Sequence, residues 1–150
     1  MHMPFKLGQT LAGAIHLITL VLISGCAIGP EPINSTGAGL NCIDDTPHCV
    51  SERQAALRIL VGDKSRAWVR EPATPQAYAS GVRLFAFRQI KRELSCEDLS
   101  HGHKEAEGAP AALKSAGAGL TPAQISRGTM FASEVGRELG GELKRRCKQG

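Results

Sequence analysis

Hydrophobic and polar positions divide the 150-residue chain into three stretches of different character. From Leu11 to Ile23 the run LAGAIHLITLVLI is apolar for thirteen residues, interrupted mainly by His16. That is short of the roughly 20 residues a membrane-spanning helix needs. With Lys6 ahead of it and small residues behind, the run has the order of a secretory signal peptide. Residues 27–41, AIGPEPINSTGAGLN, lose all apolar periodicity and mix Gly, Pro, Ser, Thr and Asn, which predicts a flexible tether reaching about 20 Å. From residue 42 to 150 the apolar positions recur at helical spacing, and the expected domain is all-α.

Four helices are predicted in that domain. Ser51-Glu52-Arg53-Gln54 is a capping-box pattern that places the first helix start at Glu52, with Ala55, Leu57, Ile59, Leu60 and Val61 carrying it to Gly62. Ala67-Trp68-Val69 forms a further turn before Pro72, with Trp68 as a core anchor. Thr74-Pro75 begins the second helix, threonine capping and proline in the first helical position. Tyr78, Val82, Phe85, Ala86 and Ile90 make its apolar face, leaving Leu84 with Arg88, Lys91 and Arg92 on the other side. Ser95 caps a third helix with Glu97 and Asp98 in its first turn, and Pro110 is expected to end or kink it after about residue 108. Thr121-Pro122-Ala123-Gln124 starts the fourth, whose stripe is Ile125, Ala132, Val135, Leu139 and Leu143, with Gly128, Thr129 and Gly136 allowing close approach by a neighbour. Lys144, Arg145, Arg146 and Lys148 complement the dipole of its last turn.

Composition supports the same class: aromatic residues are 4% of the chain and helix formers abound. The formal net charge of +4, one less without Lys6, is too weak to specify a partner, and export makes nucleic acid a poor one. Chemistry is scarce as well. The chain has no Gly-x-Ser-x-Gly and no His-Glu-x-x-His, so no hydrolase motif is present and the reading is non-enzymatic. His101 and His103 are two apart and point to different sides of a helix, which places both on exposed surface. Asp44-Asp45-Thr46-Pro47-His48 between two cysteines reads as turns and caps before metal ligands, and no metal or cofactor is expected.

Five cysteines remain to be placed. Cys26 closes Leu22-Ile23-Ser24-Gly25-Cys26, a stretch that resembles the lipobox of bacterial lipoproteins. The resemblance implies cleavage between Gly25 and Cys26, a diacylglyceryl group on the Cys26 sulfur and a fatty acyl chain on the new amino group. Several chains matter, because one alone anchors only marginally. By the same resemblance Ala27, in the second mature position, goes with sorting to an outer membrane, the domain facing the periplasm. Residues 1–25 are then the leader, 26–41 the lipidated cysteine and tether, and 42–150 the domain.

Cys42, Cys49, Cys96 and Cys147 form an even set suited to two disulfides in an exported domain. If the four helices alternate in direction, all four cysteines gather at one end of the bundle. Cys42 with Cys49 and Cys96 with Cys147 is the first choice, although such clustering leaves other pairings feasible. The sequence thus points to a lipid-anchored envelope protein whose helical domain meets a protein or cell-wall partner. The alternatives are a metal or small-ligand binder using the Cys/His-rich end and an envelope hydrolase.

Overall fold

A computed structural model describes residues 38–147; the expected leader, Cys26, the expected tether as far as residue 37 and residues 148–150 lie outside the described part. All regular structure among the described residues is helical: α1 Ala38–Asn41, α2 Pro47–Gly62, a 3-10 turn Ala67–Arg70, α3 Pro75–Ser80, α4 Val82–Ile90, α5 Cys96–Ser115, a 3-10 turn Gly117–Gly119 and α6 Pro122–Arg146. The expected all-α class holds. α1 extends the domain into the expected tether: Leu40 is 2% exposed and belongs to the core, so the packed unit begins by residue 38 and not at 42. A single leucine among Gly and Asn carries no periodic signal.

Local chemistry decides where helices begin. α2 starts at Pro47, one turn before the expected Glu52, because Thr46 Oγ1 accepts from the Cys49 amide at 3.3 Å. Thr46-Pro47 is the same Thr-Pro start found at Thr74-Pro75 and Thr121-Pro122, where the threonine side chains accept from Ala77 and Gln124. At α6 the capping box is complete, Gln124 reaching back to the Thr121 amide at 2.8 Å.

Two expected boundaries shift for packing reasons. The helix expected to run unbroken from Thr74 divides at Gly81, whose φ of 75° lies in the left-handed region that glycine enters freely. The break resets the helical phase, so Leu84 is fully buried and Phe85 faces outward at 47% exposure, the reverse of the expected assignment. α5 does not stop near 108 but continues through Pro110 to Ser115. Ala109 and Leu113 on either side of the proline are completely buried, and their burial outweighs one missing amide donor.

Helix directions follow from the contacts. Phe85 meets Phe131, Arg88 meets Glu134 and Lys91 meets Glu138, numbers rising together, so α4 and α6 run parallel. Arg83 pairs with Glu105 while Phe87 meets Gly102, so α5 is antiparallel to both. The approach to α2 lies at the start of α6, where Gln124 Nε2 donates to Ile43 O at 3.1 Å. Its exit lies at the other end, where Arg66 pairs with Glu93 at 3.0 Å and Arg146 donates to Leu94 O at 2.9 Å. α2, α4 and α6 are therefore parallel, and the 63–74 segment returns the chain between α2 and α3 without a full helix. Simple alternation fails for that reason.

Both disulfides pair as the first choice expected, Cys42 with Cys49 and Cys96 with Cys147, with Cα separations of 5.3 and 5.7 Å. The expected clustering does not occur. Cys42 and Cys49 sit at the start of α6 and Cys147 at its end, on the order of 35 Å along a 25-residue helix.

The return segment is held by one buried cation. Arg83, 2% exposed, donates from Nε and Nη2 to Glu105 at 2.6 and 2.8 Å, and from Nη2 to Val69 O at 3.4 Å and Glu71 O at 2.6 Å. Its guanidinium lies 5.4 Å from the Trp68 ring centroid and 5.9 Å from that of Phe87. Trp68 is the core anchor expected: its indole donates to Leu60 O at 3.0 Å and its ring lies 4.7 Å from Phe87. Burial pushes the Glu105 carboxyl above its ordinary range, against the pull of Arg83 and the nearby His101.

Close approach of α5 to its neighbours depends on small residues. A methyl group at Gly102 would stand 2.6 Å from Phe87 Cδ1, and one at Gly128 would stand 2.8 Å from Leu113 Cδ1. Phe87 is fully buried and has nowhere to retreat. Gly102→Ala is therefore expected to lower the unfolding free energy by about 1–3 kcal/mol in urea titration with the disulfides intact. Gly141→Ala, with no atom within 4 Å of the added carbon, is expected to leave stability unchanged or raise it by up to about 1 kcal/mol. Equal effects of the two substitutions would contradict the packing described.

Candidate interaction surface

The residues between Cys42 and Cys49 form a built loop. Asp44 Oδ1 accepts from the Thr46 amide at 2.9 Å and the Thr46 hydroxyl at 2.6 Å, an Asx turn of the kind the sequence suggests. Those bonds hold the Asp44 carboxyl below its usual range. Arg53, nearly two turns into α2, donates from Nη1 to Cys42 O at 3.2 Å and to Asp44 O. Asp45 stands between Arg53 at 3.6 Å and Arg127 at 3.3 Å, joining the loop to α6.

Beside the loop, where α3 meets α4, lies a recess of about 190 Å³. Ile43, Tyr78, Gly81, Phe85, Gly128 and Phe131 supply most of its wall, with Asp45, Arg53 and Arg127 as its charged members. The Phe85 and Phe131 rings lie 4.3 Å apart. Met130, 70% exposed, continues the apolar surface along α6 toward Glu134 and Arg137. Tyr78 is pushed up to about 12, by burial first and by Glu105 second, with Arg83 opposing, so its phenol stays protonated at neutral pH.

This surface offers contact more than chemistry. Most of its charged side chains are balanced in pairs, and exposed Met130 and Phe85 add apolar area beside them. Among the described residues no three of His, Cys, Asp and Glu converge as a metal cage would require. His48 pairs with Glu52 at 3.2 Å beside the first disulfide. His101 is exposed on α5, and His103 is half-buried, not fully exposed as expected, its imidazole lying against Gly140. The histidines are thus dispersed along the bundle.

Of the basic residues singled out in the sequence, Arg88, Lys91, Arg145 and Arg146 are engaged within the fold, and Lys144 is exposed. Arg88 holds Glu134 at 3.0 Å and Glu138 at 2.9 Å, and Lys91 bonds to Glu138. Arg92 is exposed. Arg145 and Arg146 pair with the buried Glu142, and Arg146 also donates to Lys91 O at 3.1 Å. Lys148 and Cys26 lie outside the described residues. Sequence reasoning missed Met130 as surface and Phe131 as its half-buried neighbour, and put Phe85 in the core. One signal was available: Met130 and Phe131 are an apolar pair that falls off the apolar stripe of α6.

Comparison of the chain with family models, with curated proteins and with solved structures finds no match to any of them.

Glu138 links α6 to α4 and carries the pH dependence of that seam. Its carboxyl lies below the ordinary range, first through the hydrogen bond from Lys91, then through the charges of Lys91 and Arg88. A depressed carboxyl gives stability that is complete above its unfolded value and is lost as pH falls through the folded one. Glu138→Gln is therefore expected to cost roughly 0.2–1 kcal/mol at pH 7. In thermal melts followed from neutral to acid pH, the gap between wild type and variant should close below about pH 4.5. A gap that widens in acid would contradict the assignment.

Proposed function

We propose that the chain is a non-enzymatic lipoprotein of the bacterial cell envelope, held to a membrane by lipid on Cys26, with its helical domain serving as an interaction module for an envelope protein or wall partner. The observation that carries this reading is the use of the cysteines. Of five, four are joined as Cys42–Cys49 and Cys96–Cys147, which leaves Cys26 as the thiol outside the domain's crosslinks. It stands at the end of the lipobox-like Leu22 to Cys26, the position where lipidation requires a free sulfur.

A further feature supports the reading. Disulfides persist where the compartment is oxidising, as the envelope is outside the cytoplasm. Among the described residues no helix is long and apolar enough to cross a membrane. The outer membrane, with the domain facing the periplasm, is the location that Ala27 favours by resemblance.

Cys26→Ser tests the anchor directly. Wild-type protein is expected in the membrane fraction, with an N-terminal peptide whose mass includes the diacylglyceryl and acyl groups. The variant is expected to lose that mass and to leave the membrane pellet on washing with salt. Retention of the variant in the membrane would overturn the anchor. Crosslinking in cells with wild type then identifies the partner.

A further inference from the structure

We infer that the face formed by Phe85, Met130 and Phe131 rests on the surface of the bilayer that carries the anchor, so that the domain lies against the membrane along α4 and α6. This rests on the lipid-anchor reading and adds an orientation to it.

The position of the chain entry is the first argument. Ile43 and Asp45 line the same recess as Phe85 and Phe131, and they follow α1 directly. The upstream chain therefore joins the domain beside this face. Cys26 and Ala38 are twelve positions apart, which limits their separation to about 40 Å even when fully extended. Phe131 lies nine residues into α6, about 13 Å from its start, while the Cys96–Cys147 end lies a further twenty or so ångströms on. The end bearing the rings is the end at which the upstream chain attaches, so at a typical tether reach of about 20 Å it lies nearer the lipid on average.

The chemistry of the face is the second. Met130 is the most exposed large apolar side chain of the described residues, and Phe85 is next. The carboxylates beside them are held by arginines, Asp45 by Arg127 at 3.3 Å and Glu134 by Arg88 at 3.0 Å. Arg137, exposed on the same stretch of α6, has no ion pair among the described residues. A thioether and rings flanked by guanidinium groups suit the boundary between acyl chains and headgroups, where long cationic side chains keep their charge in water. Three partly exposed apolar groups are too few to hold a free domain on a bilayer. Tethering changes this, because a linked site experiences a high effective concentration of its surface and needs little affinity to dock.

The test uses the lipidated mature protein in vesicles of phosphatidylethanolamine and phosphatidylglycerol. Removal of the leader takes away Met1 and Met3, so Met130 is the only methionine left to report. Its oxidation by hydrogen peroxide, followed by mass spectrometry, is expected to be at least about fivefold slower than in Cys26→Ser protein mixed with the same vesicles, since sulfoxidation follows exposure. In parallel, the lipidated Met130→Trp variant is expected to be quenched by bromine-labelled acyl chains, and an Arg58→Trp variant, exposed on α2, is not. Equal oxidation rates in protein that floats with the vesicles would overturn the inference and leave the anchor standing. Protection of Met130 without quenching in the Met130→Trp variant, accompanied by crosslinks between copies, would assign the face to a second copy and overturn it also. Protein that fails to float would overturn the anchor reading and the inference together.

Discussion

A guanidinium placed in the interior fixes the path of this chain. The 63–74 segment brings the chain back across the bundle without a full helix, so several of its carbonyls have no intrahelical partner, and Arg83 donates to two of them. The same group is neutralised by Glu105 and flanked by Trp68 and Phe87. Burying such a pair gains little net free energy over a hydrophobic substitute, but removing one partner leaves a buried charge and costs several kcal/mol. Arg83 is better understood as the group that selects this crossover than as a source of stability. The raised Glu105 carboxyl agrees: its burial works against the ionised form more than the pull of Arg83 favours it.

Because the crossover runs back, α2, α4 and α6 can lie parallel, and the antiparallel α5 becomes the element against which α4 and α6 both close. Gly102 admits the Phe87 ring, and Gly128 admits Leu113. The two disulfides then do different work at opposite ends. Cys96–Cys147 joins the beginning of α5 to the end of α6 across 51 residues, a span for which restriction of the unfolded chain is worth roughly 4 kcal/mol. Cys42–Cys49 closes a short loop and shapes the surface that Gln124 and Arg127 grasp.

Much of this was legible in the residues, and the exceptions have identifiable causes. Thr74-Pro75, Ser95 and Thr121-Pro122 begin helices as their side chains dictate, since caps are local and compete with little else. Ser51 misled because an equally good cap, Thr46, lay one turn upstream and was reinforced by Asp44. Pro110 misled because local propensity lost to the burial of Ala109 and Leu113. Gly81 had the largest consequence for the surface: one left-handed residue rotated the next helix, sent Leu84 inward and left Phe85 outside. Helix direction was the least legible feature, because nothing in a periodic pattern tells whether a twelve-residue connection turns back or crosses over.

Several of the cations conspicuous in the sequence are engaged within the fold. The cationic run at the end of α6, read from the sequence as complementing the helix dipole, is also tied into the fold: Glu142 holds Arg145 and Arg146, and Arg146 further serves Lys91 O and Leu94 O at the end of α4. Those cations complement the helix dipole, and two of them fasten helix ends, while Lys144 beside them stays exposed. Arg88 and Lys91 are drawn in the same way onto Glu134 and Glu138. Exposed Met130 and Phe85 have no such internal partner for their outward surface. The distinctive chemistry of this surface therefore lies in its apolar groups, beside the point where the chain joins its upstream segment, and recognition by shape and desolvation follows more naturally from it than recognition by charge.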